Sequence, residues 1–460
     1  MRIKRLVGTA LGTTLLLVTT APAVSAAPGD VGTAPAPAGL DRDGLRGTLD
    51  AIHEAGMYGT YSSVRDGRER WTGASGSADV DTGRKVTPNM RHRVGSISKT
   101  FTSVAILQQV ERGRISLDAP VTDYVPELFD GTAADRERGD AITVRMLLNH
   151  TSHIGDYILG AFPSLAQNST AGLDEGRFRS ISPGELVRLG LAAPATGRPG
   201  AQPGSYSNTN YVIAGLILEK VTGQKASAYL TRHVIDRAGL DHTSFPRTPY
   251  IKGPHPKMYE SFYGLIDPPR DYSVYDMSWA YTAGAIVSTT DDLNRFYRKL
   301  LAGDLVGRAS LAEMQRTVPV SVAGDPNATI DYGLGIYTVE LPGCGRFWGH
   351  DGAVFGAGTI SLTRADGGRQ LSMGWNLMKY QRLNADGTAL EPSPIDEAIN
   401  IHLVEGLCPT PETSAAEGSG AALKSGIAAA DAERALPDGL LGVDLSTGGR
   451  PVAPNVAPNR

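Results

Sequence analysis

The chain has 460 residues, of which 41% are hydrophobic and 20% charged, and its formal net charge is -4. A chain of this length and composition can bury a large core, so a globular protein is expected. The slightly negative charge offers no basic surface for nucleic acid, and nucleic-acid binding is set aside. We find no internal repeat and no clustered spacing of metal ligands, and we expect neither a metal nor a cofactor.

The N-terminus has the pattern of a secretory signal peptide. Basic residues near the start precede an apolar run over 6–20, and small residues allow cleavage after Ala26 or Ala27. We therefore expect a signal peptide over 1–26, a linker over 27–40 and a secreted, extracellular product. No other stretch is long and apolar enough to span a bilayer, so no membrane association is expected after the signal is removed.

A helix and a hairpin are predicted next. Leucine and isoleucine recur at helical spacing over 45–52. Two strand-like runs follow, 58–64 and 69–76, and the turn signal Asp66-Gly67 joins them as a β-hairpin.

The sequence Ser-Ile-Ser-Lys at 96–99 begins an apolar run over 104–110, which Gly113 is placed to cap. Residues three apart share a helix face, so Lys99 can reach the Ser96 hydroxyl. A serine needs such an activator to attack a carbonyl. The pattern therefore indicates a nucleophile with its base, and an exposed lysine on an ordinary core helix is the alternative.

The central region is predicted to be helical as far as about Arg270, and it contains the capping box at 182–185. Within it, a turn delivers Tyr206 and Asn208 immediately before an apolar helical run over 212–221. A buried tyrosine with a satisfied hydroxyl is the structural alternative for Tyr206.

Strands return in the last third of the chain, after a helix that begins near Thr290. They are expected at about 332–340, 345–349, 356–364 and 369–377, the last two joined at Asp366-Gly367. His350-Asp351-Gly352 lies between strand-like segments, with glycines that allow another backbone or a substrate to approach.

Strands at both ends with helices between them predict an α/β fold, in which an antiparallel sheet flanked by helices carries an inserted all-α lobe. The α/β lobe is expected over about 41–115 and 271–408, and the all-α lobe over about 116–270. The tail 409–460 is rich in Ala, Gly and Pro and is expected to be disordered or processed.

The two cysteines, Cys344 and Cys408, suit an oxidising compartment, and we expect a disulfide between them. The bond would link the strand that leads to His350 with a final helix begun by Ser393-Pro394. Two free thiols are the alternative, since the sequence does not establish the geometry.

Ser-Ile-Ser-Lys, Tyr-Ser-Asn and His-Asp-Gly, beginning at Ser96, Tyr206 and His350 and in this order, resemble the motifs of penicillin-recognising serine hydrolases. This family includes class C β-lactamases, secreted D-alanyl-D-alanine carboxypeptidases, related esterases and D-amino-acid amidohydrolases. The resemblance covers roughly 41–408 and extends to connecting segments at 147–152, 283–293 and 332–335. It implies the β-lactamase/transpeptidase-like fold, with the active site between the lobes.

The resemblance also implies roles. Ser96 would form an acyl-enzyme with Lys99 as its activator, and Tyr206 would relay protons, with Lys99 or His350 lowering the cost of its phenolate. Asn208 would orient Lys99 and the substrate amide. His350 stands where class C β-lactamases have lysine and the secreted carboxypeptidases have histidine.

The oxyanion hole would be formed by the backbone N–H groups of Ser96 and Ala353. Gly352, Trp279 and Tyr337 are assigned to substrate binding, as is Asp351.

Asp351 departs from the carboxypeptidase pattern, in which a threonine at this place helps to bind the terminal carboxylate of the substrate. The positions of a second threonine and of an arginine in those enzymes correspond here to Ala353 and Tyr337. A carboxylate at Asp351 repels a carboxylate ligand and suits an amine, an amide or an ester. Arg346 is near enough in sequence to offer a replacement cation.

These observations predict an acyl-enzyme-forming, D-stereospecific peptidase or amidohydrolase that acts on small D-amino-acid-containing peptides, amides or esters. D-alanyl-D-alanine carboxypeptidase is the close alternative, and an esterase or a non-catalytic penicillin-binding or muropeptide-binding protein is a more distant one. A β-lactamase is disfavoured because the Lys-Thr-Gly form of the third motif is absent. β-Lactams remain expected inhibitors through slow acylation of Ser96.

Overall fold

The structure is a computed structural model that describes residues 39–167, 169–322, 325–382, 384 and 390–408. The predicted signal peptide, almost all of the predicted linker and the tail 409–460 lie outside the described residues. Among the described residues, no helix combines the length and the apolar character needed to cross a membrane.

The strands and helices follow one another in mixed order along the chain. The strands are β1 (Gly59–Asp66), β2 (Glu69–Asp79), β3 (Arg84–Lys85), β4 (His92–Arg93), β5 (Gly204–Ser205), β6 (Tyr259–Glu260), β7 (Arg270–Asp271), β8 (Val287–Ser288), β9 (Val318–Val322), β10 (Asp325–Tyr332), β11 (Tyr337–Leu341), β12 (Gly345–Val354), β13 (Ala357–Arg364), β14 (Arg369–Trp375) and β15 (Leu377–Met378). The α-helices are α1 (Arg42–Glu54), α2 (Ser98–Glu111), α3 (Ala133–Ala141), α4 (Val144–Leu148), α5 (Ile158–Ala161), α6 (Ala171–Glu175), α7 (Pro183–Ala192), α8 (Asn208–Thr222), α9 (Ala226–Leu230), α10 (Asp236–Ala238), α11 (Tyr281–Gly284), α12 (Thr290–Leu301), α13 (Arg308–Met314) and α14 (Pro394–Leu407).

The main sheet has the strand order β3-β2-β1-β14-β13-β12-β11-β10-β9-β5. Its neighbouring strands are antiparallel except for β5 and β9, which are parallel. Strands from the two ends of the chain meet where β1 pairs with β14, with Thr60 opposite Trp375. The predicted α/β class with a large antiparallel sheet is therefore confirmed. The sheet is complete only when the early strand β1 pairs with the late strand β14.

Helices cover both faces of this sheet. On one face α1 and α14 pack against each other and onto β1, β2 and β14, and the buried stripe of α1 is Leu45, Leu49 and Ile52. On the other face α12 packs onto β1, β13 and β14. Helix α2 is buried on nearly every side, as expected for a helix at the centre of a large core.

The region predicted to be all-α contains α3 to α10 but also three two-residue strands. Strand β5 pairs with β9 at the edge of the main sheet, and β6 and β7 form a small second sheet with β15. Pairs this short have no hydrophobic periodicity to reveal them, which is why the sequence did not predict them.

The third motif lies inside a strand rather than between two. A strand was predicted to end at Gly349, but β12 continues to Val354 and therefore includes His350. The pairing with β11 stops at Gly349, whereas the pairing with β13 continues to Val354. The motif consequently has a neighbouring strand on one side only, and its other edge faces the start of α2.

The predicted disulfide between Cys344 and Cys408 is present, with the two Cα atoms 5.1 Å apart. Cys344 lies in the turn between β11 and β12, and Cys408 caps the end of α14. At the other end of this helix the Ser393 side chain accepts a hydrogen bond from the Ile395 N–H, so the predicted start at Ser393-Pro394 is also correct.

Candidate active site

Ser96 lies in a short 3-10 turn, Gly95–Ile97, that leads from β4 into α2. Gly95 has φ 53°, and a Cβ at this position would lie 2.6 Å from the Ala353 nitrogen. The turn is therefore pressed directly against β12, in a backbone conformation that glycine adopts most readily. This contact brings the first and third sequence motifs together and leaves Ser96 only 3% exposed.

Lys99 is one helical turn beyond the serine, and its side chain is completely buried. Its Nζ donates to Ser96 Oγ at 2.9 Å, to Asn208 Oδ1 at 2.7 Å and to the Ala283 carbonyl at 2.9 Å. Burial lowers the pKa of Lys99 to about 7, although Asp156 and Asp351 act in the opposite direction. A substantial fraction of Lys99 is therefore neutral near pH 7; in that form Nζ keeps two hydrogens for Asn208 and Ala283, and its lone pair accepts from the Ser96 hydroxyl.

Asn208 begins α8 and is held by a carboxylate that the sequence analysis missed. Asp156 Oδ2 accepts from the Asn208 backbone N–H at 2.7 Å and from its Nδ2 at 2.9 Å. This pairing fixes the amide so that Oδ1 faces Lys99. Burial raises the pKa of Asp156 to about 6, although hydrogen bonds from Asn208 and Ile158 and the charge of Lys99 oppose the rise.

Tyr206 sits between the lysine and a buried histidine. Lys99 Nζ lies 4.9 Å from the centre of the Tyr206 ring, and the His150 ring packs on the same tyrosine with 4.1 Å between centroids. His150 Nδ1 accepts from the Ser207 N–H and from Asn210 Nδ2. Burial raises the pKa of Tyr206 well above 10, with the Ser96 hydroxyl opposing, so the resting side chain is a neutral phenol.

His350 is buried and uncharged. Its Nδ1 donates to the Asp351 carbonyl at 2.6 Å, so Nε2 accepts from the Tyr332 hydroxyl at 2.8 Å. Burial lowers the pKa of His350 to about 3, helped by the charge of Lys99. A neutral imidazole adds no positive charge beside a Tyr206 phenolate, and the predicted contribution of His350 to that step stays a prediction. Lys99 is the cation next to this tyrosine.

The predicted oxyanion hole brings together backbone groups from two elements. A Cβ on Gly352 would lie 2.8 Å from the Ser96 nitrogen, and a Cβ on Gly95 would approach the Ala353 nitrogen. The peptide groups of Ser96 and Ala353 thus belong to backbone segments in direct contact. Ala353 is on the part of β12 that has no β11 neighbour.

Asp351 is almost buried and lies close to the other titratable groups. Its Oδ1 is 3.6 Å from His350 Nδ1, and its charge raises the pKa values of both Lys99 and Tyr206. Tyr337 is fully buried on β11, and its burial together with the charge of Asp351 raises the pKa of its phenol well above 10. Arg346 is directed elsewhere, with its Nε donating to Glu340 at 3.0 Å on the exposed part of the strand. It therefore does not replace the missing substrate-binding arginine.

Trp279 belongs to an aromatic cluster next to the hairpin turn that follows Ala353. Its ring lies 4.9 Å from Phe355 and 5.5 Å from Phe162. A cavity of about 370 Å³, lined by Trp279, Phe162 and Arg179 among others, opens beside it. The structure therefore places Trp279 in the wall of this cavity.

The sequence analysis missed three groups that contact the motif residues: Asp156, His150 and Tyr332. Each is far in sequence from the side chain that it supports, for example 52 residues for Asp156 and Asn208. His150 and Tyr332 lie within the segments 147–152 and 332–335, whose resemblance to the family was the one sequence feature that pointed to them. Among the described residues, no group of three or more His, Cys, Asp or Glu side chains is arranged to hold a metal ion.

Comparisons with known proteins match most of the chain. The family model described as Beta-lactamase matches residues 37–389. A D-stereospecific amidohydrolase from Streptomyces sp. is 34% identical with a TM-score of 0.66, covering 78% of this chain and 98% of its own. A D-amino acid amidase from Ochrobactrum anthropi SV3, solved with L-phenylalanine amide, is 23% identical with a TM-score of 0.65, covering 79% of this chain and 97% of its own.

PbpX of Bacillus subtilis (strain 168), assigned provisionally as a penicillin-binding protein, is 27% identical over 288 residues, which are 62% of this chain and 63% of that protein. The chain spans between half and two thirds of the length of the first curated relatives it matches. The family match covers most of the chain and all three motifs. The chain therefore belongs to the beta-lactamase family.

Proposed function

We propose that the protein is a secreted, D-stereospecific peptidase or amidohydrolase that acts through an acyl-enzyme on Ser96. The observation that carries the catalytic part is the 2.9 Å contact between the buried Lys99 amine and Ser96 Oγ, and burial lowers the pKa of this amine to about 7. A neutral amine at this distance is a suitable base for a serine nucleophile.

In the acylation step, Lys99 Nζ takes the proton from Ser96 Oγ as the oxygen attacks the substrate carbonyl carbon. The backbone N–H groups of Ser96 and Ala353 stabilise the oxyanion that forms, an interaction that is strongest in the transition state. Asn208 keeps the Lys99 amine directed at the serine through the 2.7 Å contact with Nζ.

The tetrahedral intermediate collapses when its C–N or C–O bond breaks and the leaving group receives a proton. The neutral phenol of Tyr206 supplies that proton, and Lys99, protonated in the first step, returns one to Tyr206. In deacylation a water replaces the leaving group and the transfers run in reverse, so the enzyme ends in its starting protonation state.

The substrate preference rests on Asp351. A nearly buried carboxylate whose charge acts on Lys99 and Tyr206 disfavours a substrate with a free C-terminal carboxylate and is compatible with amides, esters and amine-bearing D-aminoacyl groups. Two structurally similar proteins are a D-stereospecific amidohydrolase and a D-amino acid amidase, which supports the amidohydrolase proposal.

A substrate panel tests the proposal. D- and L-aminoacyl amides and esters are compared with acyl-D-Ala-D-Ala and a chromogenic cephalosporin, using wild type and Ser96→Ala. We expect turnover of D-aminoacyl amides that disappears in the variant. A preference for acyl-D-Ala-D-Ala would instead identify a carboxypeptidase, and turnover of esters alone an esterase.

Export is a separate part of the proposal. The signal-like pattern over 1–26 supports it, as does the disulfide between Cys344 and Cys408, a bond typical of oxidising compartments. Expression of the full chain with N-terminal sequencing of the medium fraction should give a product that begins at Ala27 or Pro28. A product retained in the cells with Met1 intact would contradict export.

A further inference from the structure

The hairpin turn between β12 and β13, Val354 to Ala357, is unusual because it is buried. Hairpin turns normally lie at the surface, where water satisfies their backbone groups. Here Val354, Phe355 and Ala357 are at most 3% exposed and Gly356 is buried, and Phe355 contacts Trp279 and Phe162. A buried backbone N–H in such a turn needs a partner within the protein.

Glu260, at the end of β6, provides that partner. Its Oε2 accepts from the Gly356 N–H at 3.1 Å, and its Oε1 accepts from the Phe262 N–H at 3.0 Å. Gly356 has φ 75°, and a Cβ there would lie 2.2 Å from the backbone of Met258. The turn is thus pressed against β6 and tied to it by a carboxylate that is 0% exposed.

A buried carboxylate requires a compensating charge, and Lys379 supplies it. Its Nζ lies 3.4 Å from Glu260 Oε2, and its side chain is 2% exposed. The same ammonium lies 4.7 Å from the centre of the Phe262 ring and 5.6 Å from that of Phe355. Pairing of β6 with β15 brings the two charged residues together from positions 119 residues apart.

The backbone around this pair is strained. Lys379 has φ 48°, and the consecutive residues Phe262 and Tyr263 have φ 48° and 60°. Non-glycine residues adopt this region rarely and persist in it where the surrounding structure determines them. The Tyr263 N–H donates to the Lys379 carbonyl at 2.7 Å, so the strained residues are joined to one another.

We propose that Glu260 and Lys379 form a positioning pair that holds the turn after β12 and thereby aligns the Ala353 N–H with that of Ser96. The inference rests on the proposed acyl-enzyme chemistry, since alignment matters only if an oxyanion forms there. The Lys379 ammonium contacts the ring of Phe355, and Phe355 is two residues after Ala353. The pair does not touch the reacting atoms, so it acts through the position of the strand.

The test compares Glu260→Gln and Lys379→Met with wild type, using a D-aminoacyl p-nitroanilide for kcat and KM and phenylboronic acid as a probe that forms a tetrahedral adduct with a reactive serine. We expect kcat to fall by about tenfold or more, somewhat less than on deleting an oxyanion donor, with KM changed by less than about threefold. Boronate binding should weaken in parallel. Lys379→Arg should retain more kcat than Lys379→Met.

The control is the ion pair between Arg369 and Asp66, whose charged atoms are 3.0 Å apart. This pair joins β14 to β1 and does not involve the turn after β12. Asp66→Asn should lower thermal stability without changing kcat. If Glu260→Gln or Lys379→Met folds poorly, the double variant removes both charges and should recover stability while kcat stays low.

Recovery of kcat together with stability, or a Glu260→Gln variant with wild-type kcat and boronate affinity, would overturn the positioning role. A wild-type enzyme that shows neither Ser96-dependent turnover nor boronate binding would be a different result. It would refute the proposed acyl-enzyme and, with it, the reason for the pair.

Discussion

At the scale of single residues, the central feature is a lysine whose environment favours its neutral form. Three acceptors surround Lys99 Nζ, yet full burial removes the water that would stabilise the ammonium and lowers its pKa to about 7. Asp156 and Asp351 limit this effect. The balance leaves the amine ready to accept the Ser96 proton near neutral pH.

Replacing either member of this pair should abolish acylation. Ser96→Ala removes the nucleophile and Lys99→Ala the base, and because they act as a unit the double variant should be little worse than either single one. Acylation by fluorescent penicillin and amide turnover measure the loss, and circular dichroism checks folding. Comparable turnover in a folded single variant would contradict the assignment.

The pH dependence of kcat/KM should report the titration of Lys99. Only the neutral amine is a base, so the rate should rise with pH and level off above about 7. The Asp156 carboxylate raises the pKa of Lys99, so Asp156→Asn should move the midpoint to lower pH. It should also lower the plateau, because the Asn208 amide loses the acceptor that orients it. A midpoint that does not move would show that another group controls the profile.

Asp351 is expected to set substrate selectivity. Asp351→Thr removes a negative charge from the proposed active site and should raise kcat/KM for acyl-D-Ala-D-Ala relative to an uncharged D-aminoacyl amide. A change of about tenfold corresponds to about 1.4 kcal/mol of differential transition-state binding. If wild type already prefers the free carboxylate and the variant keeps the same ratio, Asp351 does not contact that end of the substrate.

At the scale of elements, the site depends on the contact between the turn at Gly95 and strand β12. The first supplies Ser96 and the second supplies Ala353, so their separation determines whether both N–H groups reach one oxygen. Helix α8 adds Asn208 from a third direction. No single element contains the site.

Gly95→Ala tests this contact. The new methyl group would lie 2.6 Å from the Ala353 nitrogen at a φ of 53°, so the turn and the strand must separate. We expect kcat to fall by about tenfold or more, together with a stability loss of about 1 to 3 kcal/mol. Gly83→Ala is the matched control, because Gly83 has φ 71° with nothing within 4 Å. Equal effects of both variants on kcat would show that backbone strain alone is responsible.

At the scale of the whole molecule, the fold brings distant parts of the chain together. The sheet joins β1 to β14, α1 packs on α14, and the disulfide ties the β11–β12 turn to the end of α14. Residues near both ends of the described chain therefore stabilise the strand that carries His350.

Removing the disulfide should lower stability more than activity. The bond closes a loop with a sequence separation of 64, for which the chain-entropy model gives about 4 kcal/mol. Cys344→Ser with Cys408→Ser should melt at a lower temperature and keep kcat below its transition, since Cys344 is at the opposite end of β12 from Ala353. Reductant should lower the Tm of wild type and leave that of the variant unchanged. A wild-type Tm that does not change with reductant would mean that the disulfide adds no stability.

The sequence by itself determined the local features. Side-chain patterns and capping within a few residues predict the helix starts at Ser182, Thr290 and Ser393. They also predict the buried stripe of α1 and the turn at 66–67. The three motifs and their order also identified the family, because each motif is a short segment that can be read directly.

Tertiary structure alone decided the extent of β12, the neutral state of His350, and the partners Asp156 and Glu260. Strand β12 continues through a glycine-containing motif because its pairing with β13 extends to Val354, while the turn at Gly95 packs against its other edge. A local sequence pattern contains no information about that turn. The charge of a side chain depends on the water removed around it, which distant segments determine. Asp156 meets Asn208 and Glu260 meets Gly356 only because the sheet and the helices bring together residues that are 52 and 96 positions apart.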